Sequence, residues 1–234
     1  MAPISAAALL TVWERGESLH SVDRALTLLA AASPGSTMRE LASLSLGERN
    51  ARLLALREEA FGAELAGLAR CDRCAEQLEL PLSTHGLMAG PAASPSFELS
   101  ANGRQLTFRP LTSFDAAAIA SCDDLEEARL ELARRCLVDG AGVELTEALL
   151  SELAARLSEC DPQAEALLNL RCPACGFEWQ LTFDIASFLW EEVSSEAQRL
   201  LREVHTLAAA YGWREADILA LNPMRRRRYV EMAS

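Results

Sequence analysis

The sequence has no lysine: all 22 of its basic residues are arginine, while alanine and leucine abound, a coding bias of little functional weight. Positive charge is scarce altogether. The formal net charge is −12, and general binding to a phosphate backbone needs clustered cations that track it, so the balance argues against nucleic acid and favours protein partners. Long apolar runs are missing as well; none approaches the about 18 residues needed to span a bilayer, and no membrane association is expected. Met1 to Leu10 carries an apolar patch with no basic residue before it, and Trp13, Glu14 and Arg15 follow at once, which makes a poor signal peptide. Phosphate-cradling glycine loops, G-x-S-x-G elbows and H-E-x-x-H pairs are absent. The three histidines, His20, His85 and His205, are too scattered to organise a nucleophile and its base, although His205 has Glu203 nearby. The chain is therefore expected not to be an enzyme and to have no catalytic residues; a pocket of convergent carboxylates with strongly perturbed pKa values would revive that possibility.

What the sequence does have is cysteine in a pattern. Cys71-Asp72-Arg73-Cys74 and Cys172-Pro173-Ala174-Cys175 are two C-x-x-C pairs. A two-residue spacer turns both sulfurs of a pair toward one point, and two pairs supply the four ligands of a tetrahedral structural Zn²⁺. Such a closed site leaves no position for substrate or activated water, so it stabilises a fold and does not catalyse. Gly176 permits the positive φ that follows a metal-binding turn, whereas Ala75 stands at the same place in the first pair. Neither pair precedes a helix in a βαβ pattern, which argues against a thioredoxin-like redox role. The total of seven cysteines is odd, and without an export signal it points to a reducing, cytoplasmic compartment. Cys122, Cys136 and Cys160 lie in or beside predicted helices at no ligand-like spacing and read as small buried apolar residues.

Half of the composition is hydrophobic, enough for a sizeable core, and the pattern predicts an α+β, helix-rich fold. Residues 1–60 read as an N-terminal helical segment, with a break at Ser33-Pro34-Gly35-Ser36 and a capping box at Ser45-Leu46-Gly47-Glu48. Short strands flank each cysteine pair, so 61–83 and 165–184 form two β-hairpins of a split zinc ribbon, with Phe177, Trp179, Leu181 and Phe183 along one face. Between them, 84–164 is an inserted module. It opens with a flexible stretch from Thr84 to Ser96, continues as a hairpin turning at Asn102-Gly103, and ends in helices over 114–121, 125–137, with Gly140 beyond it, and 147–159. Residues 185–234 form a C-terminal helical segment, with Leu200, Leu201, Val204, Leu207, Ala208 and Tyr211 as an apolar stripe. The dense cationic run Arg225, Arg226, Arg227 and Arg228 is read as a solvated or salt-bridged helix face, with a partner-binding tail as the alternative. Trp179, Trp190 and Trp213 are core residues or, more sharply, partner anchors.

A longer pattern surrounds the second pair: Cys172-Pro173-Ala174-Cys175-Gly176, Trp179, Phe183-Asp184-Ile185, Phe188-Leu189-Trp190-Glu191, Glu203-Val204-His205, Tyr211-Gly212-Trp213 and Arg225-Arg226 before Tyr229. Together with the first pair and its upstream Gly47-Glu48-Arg49 and Leu53-Leu54-Ala55-Leu56-Arg57, it resembles the zinc-knuckle baseplate or tail-assembly proteins of contractile phage-tail-like particles and extracellular contractile injection systems, akin to the baseplate-hub family of T-even phages. The resemblance implies a non-enzymatic role, as assembly chaperone or as permanent component, with baseplate, hub or tube proteins as partners, in the cytoplasm or incorporated into a particle. It transfers no catalytic residue. The alternative from another class is a zinc-ribbon nucleic-acid-binding or regulatory protein, for which only Arg225 to Arg228 supplies a cationic patch.

Overall fold

The computed structural model describes residues 5–88, 90, 93–101, 103–139 and 142–233. Asn102, Gly140 and part of the Thr84 to Ser96 stretch lie outside the described residues. The fold is mixed, 57% helical with small antiparallel sheets, which fits the expected α+β class. In chain order the elements are α1 (Ala6–Gly16), α2 (Ser21–Ala32), α3 (Met38–Ala42), α4 (Leu46–Phe61), β1 (Glu64–Arg70), β2 (Gln77–Ser83), α5 (Thr84–Leu87), β3 (Phe97–Ala101) and β4 (Arg104–Phe108). They continue with α6 (Ser113–Ile119), α7 (Leu125–Cys136), β5 (Leu137–Asp139), α8 (Glu147–Cys160), a 3₁₀ turn (Pro162–Ala164), β6 (Ala166–Arg171), β7 (Glu178–Phe183), α9 (Ile185–Tyr211), α10 (Glu215–Ala220) and α11 (Pro223–Ala233).

Contacts group the chain into two compact units, one of Met1–Gly35 with Ala186–Ser234 and one of Ser36–Ile185. The helical segment expected over 1–60 is thus divided between them at the Ser33-Pro34-Gly35-Ser36 break.

In the first unit α1 and α2 meet the C-terminal helices. Ser5 caps α1 by accepting from the Ala8 amide, and the ring of His20 accepts from the Val22 amide at the start of α2, a structural use of that histidine. Along α9 from Ala186 onward the buried positions are Ala186, Leu189, Trp190, Val193, Ala197, Leu200, Glu203 and Leu207, a stripe at helical spacing. This corrects the predicted stripe. Leu201 and Tyr211 are exposed, and the inward place between Leu200 and Leu207 belongs to the carboxylate Glu203. Trp190 is buried, with the Arg24 guanidinium 4.9 Å above its ring, so it is a core residue.

The second unit holds three small sheets. β1 pairs with β2 and β6 with β7, while β3, β4 and β5 form an antiparallel sheet that includes one strand more than the sequence pattern suggested. β5 is only three residues long, too short to leave an alternating signature. Phe97, Leu99, Leu106 and Phe108 from this sheet pack on Ala133 and Cys136 of α7 and on Leu149, Leu150 and Leu153 of α8, which gives the region between the outer hairpins its own core. Burial pushes the Cys136 thiol up to about 12, so it stays neutral there. Cys160 is only half-buried against that core, and Cys122 is half-buried with its Sγ donating to the Asp124 carbonyl, so neither is the fully buried apolar residue expected. The opening of the Thr84 to Ser96 stretch is ordered: Ser83 accepts from the Gly86 amide and caps the short α5.

The capping box foreseen at α4 forms by half. Ser45 Oγ accepts from the Glu48 amide at 3.0 Å, but the Glu48 carboxylate turns outward to Arg52. Residue 45 is already engaged by a β-bridge to Thr112, and the second orphan amide is met from far along the chain, where Gly47 N–H donates to Asp161 Oδ2 at 2.9 Å. Only glycine fits at 47, because a Cβ there would stand 1.8 Å from Asp161 Oδ1. Burial raises the pKa of Asp161, and these hydrogen bonds with Gly47 and Ser45 counter only part of that.

A second carboxylate, Asp115, is fully buried at the start of α6. It accepts from Arg109 at 2.7 and 3.0 Å, from Arg135 at 3.0 Å and from both the amide and hydroxyl of Thr112. Burial alone would raise its pKa, but the hydrogen bonds of Arg109 and Thr112 and the Arg109 charge outweigh that and bring it down to about 2. Because the folded value lies below the unfolded one, Asp115 stabilises the fold fully above the ordinary carboxylate range, and the contribution of about 2 kcal/mol disappears as pH falls through it toward 2. Urea midpoints of the native chain and of Asp115→Asn should therefore differ most near pH 6 and converge as the pH approaches 2. A gap independent of pH would refute the assignment.

Candidate metal centre

Each C-x-x-C pair sits at the tip of its hairpin, and the two tips are built alike. In the first, Cys71 N–H donates to the Glu76 carbonyl and Ala75 N–H to the Cys71 carbonyl, at 2.9 and 2.8 Å; in the second, Cys172 N–H donates to Phe177 and Gly176 N–H to Cys172, at 2.8 and 2.9 Å. The residue after the second cysteine is left-handed in both, with φ of 63° at Ala75 and 70° at Gly176. Among the described residues Ala75 is the one non-glycine with positive φ. The departure noted at this position changes the residue type and leaves the turn intact; the strain of a Cβ in that conformation is on the order of 1 kcal/mol.

The tips meet. The Sγ atoms of Cys71, Cys74, Cys172 and Cys175 all lie within 4.8 Å of one another, and two close approaches join the hairpins: Cys71 to Cys175 at 3.7 Å and Cys74 to Cys172 at 3.5 Å. Thiolates about 2.3 Å from a tetrahedral ion are separated by about 3.8 Å, so the cluster is compatible with a metal site of that geometry. Cys71 and Cys172 are buried, Cys175 is half-buried and Cys74 is exposed. Leu78 packs directly on the cluster, and Leu80, Phe177 and Trp179 lie against it, with the two rings stacked at 5.9 Å.

The sulfurs of the cluster differ in how readily they ionise. Burial opposes ionisation of Cys172, but the amides of Cys175 and Ala174 and the thiols of Cys74 and Cys175 donate to its sulfur and bring it down to about 7. For Cys74, the backbone amide of Glu76 favours the thiolate, yet hydrogen bonds with Cys172, Cys175 and Cys71 push it up to about 12. Four thiolates at this spacing repel one another unless a positive ion neutralises them.

The remaining candidates stand apart from the cluster. Glu203 is paired with Arg199 and Arg226, and His205 is exposed on α9. The arginine run does not act as one face: Arg226 is buried on Glu203, Arg228 pairs with Glu231, and Arg225 and Arg227 are exposed. A groove of about 640 Å³ in the second unit is lined by leucines, among them Leu46, Leu111, Leu132, Leu150, Leu153 and Leu157; its carboxylates are Asp161, which holds the start of α4, and the exposed Glu165. No described helix is long and apolar enough to cross a membrane. Comparison with protein-family models, curated proteins and solved structures finds no match to this chain.

Proposed function

We propose that this chain is a non-catalytic, partner-binding protein in which Cys71, Cys74, Cys172 and Cys175 hold a structural Zn²⁺ and thereby join two distant hairpins as a zinc ribbon. Supporting this is the convergence of four sulfurs from two equivalent turns, a soft, closed donor set that suits zinc and leaves no coordination position for substrate. A structural or assembly role in a contractile tail or baseplate system, with baseplate, hub or tube proteins as partners and the cytoplasm as its place of action, follows from the sequence resemblance. The nucleic-acid alternative loses ground with Arg226, which is committed to an internal ion pair and leaves the cationic run thinner than its sequence suggests.

Metal analysis of the purified chain tests the first part: one zinc per chain is expected, falling toward zero when Cys71 and Cys172 are both changed to serine. A metal-free native chain would remove the ribbon. For the second part, co-expression with tube, sheath and baseplate proteins should give nuclease-resistant co-purification. A salt-dependent gel shift with no such complex would favour the alternative.

A further inference from the structure

Within the first unit, the turn after α9 and the last helix bring three aromatic rings together at the surface. Tyr211 and Trp213 stack at 4.8 Å, and Tyr229 of α11 stands edge-on to Trp213 at 4.9 Å and to Tyr211 at 6.0 Å. Left-handed Gly212 makes the turn that folds Trp213 back onto Tyr211. Tyr211 is 39% exposed, and neither tyrosine hydroxyl has a hydrogen-bond partner among the described residues. Arg225 lies one helical turn before Tyr229 and Met232 one turn after it, so the three share a side of α11; Met232 is 66% exposed. Arg214 follows Trp213 directly. Neither Arg214 nor Arg225 has an ion-pair partner among the described residues, although the chain as a whole carries twelve more acids than bases.

Tyrosine, tryptophan and arginine are the residue types in which interface energy concentrates, and here they occur side by side on one corner. Internal packing does not need the arginines, because the buried Arg226 already ties α11 to Glu203. The corner is also a poor platform for single-stranded nucleic acid. Its rings pack on one another as a single block instead of standing apart as shelves for successive bases.

We infer that the Tyr211, Trp213, Tyr229, Arg214 and Arg225 corner is a docking surface for an acidic amphipathic helix of a partner protein, whose apolar side chains cover the rings while its carboxylates meet the two free guanidinium groups. This rests on the partner-binding reading above and is independent of the metal. A helical peptide with leucine or phenylalanine at i, i+4 and i+7 flanked by glutamates serves as the probe, with a twin in which the glutamates are lysines as control. Titrated into the intact chain and followed by fluorescence anisotropy, the acidic peptide should bind and weaken as salt rises, and the basic twin should not. Arg225→Glu combined with Arg214→Glu should weaken binding about tenfold or more with the circular dichroism and zinc content unchanged, and Tyr211→Ala should weaken it without altering the salt dependence. Equal binding of both peptides, no binding of either, an effect of salt without an effect of the arginine substitutions, or preferential binding of an oligothymidylate would each overturn the inference. So would self-association of the chain that the Arg225→Glu change abolishes, since the occupant would then be a second copy.

Discussion

Replacing Cys172 by serine is expected to unfasten the two outer hairpins while the helical parts of the fold persist. The outer hairpins carry little of their own core. β1 and β2 bury chiefly Leu65, Ala69 and Leu78, no residue within β6 or β7 is fully buried, and the cluster around the sulfurs adds only Leu80, Phe177 and Trp179. Isolated two-stranded hairpins are marginal in water. Structural zinc contributes about 10–16 kcal/mol in small peptides that have no other source of order, and under the zinc proposal part of that is at stake here. The expected readouts are loss of β-sheet signal, exposure of Trp179 and rapid proteolysis within 64–83 and 166–183. The separate core of α7, α8 and the β3 sheet contains no cysteine of the cluster and should resist longer. Stripping the metal with a chelator should reproduce the same pattern. Unchanged stability and protease resistance after either treatment would show that the cluster does not hold the fold together.

The second large effect concerns Glu203 and Arg226, and it is asymmetric. Arg226 is 2% exposed and donates from Nε to Glu203 at 2.5 Å, with the Leu221 carbonyl 3.3 Å away as its other partner. Glu203 is shared; its other oxygen accepts from Arg199, which also pairs with Glu196 at 2.8 Å. Changing Arg226 to methionine leaves Glu203 one cation and should cost about 3 kcal/mol. Changing Glu203 to leucine strands a buried guanidinium and should cost more, about 4–5 kcal/mol. The double variant should recover most of the loss, because two well-packed apolar residues replace the pair. Chemical denaturation of the four proteins decides the matter: equal single-variant losses would refute the asymmetry, and strict additivity would mean that the two groups do not depend on each other.

That same pair marks where the sequence stops being readable. The C-x-x-C spacings, the helices expected over 114–121, 125–137 and 147–159, and the strands flanking the cysteines are local signals, and each appears near its expected place. Nothing local tells an acid such as Glu203 to turn inward; its reason is Arg226, 23 positions away. Within the arginine run, nothing in four identical neighbours shows which one is buried. The amide of Gly47 finds its acceptor 114 positions away in Asp161, a partner that no local pattern reveals. At the candidate site the four cysteines that come together were legible from spacing alone, whereas the left-handed backbone at Ala75 was hidden by a side chain that ordinarily avoids it.

Splitting the sulfur cluster across the chain also sets an order of events during synthesis. Cys74 and Cys172 are 98 positions apart, which at ribosomal speeds of about 5–20 residues per second is a wait of roughly 5–20 s. Throughout that interval the first turn can offer only two sulfurs, one of them on the exposed Cys74. Four-sulfur capture becomes available only once the whole intervening module has been made and has brought its ends together. A chain terminated before Cys172 thus has no means of closing a four-sulfur cluster at its first hairpin.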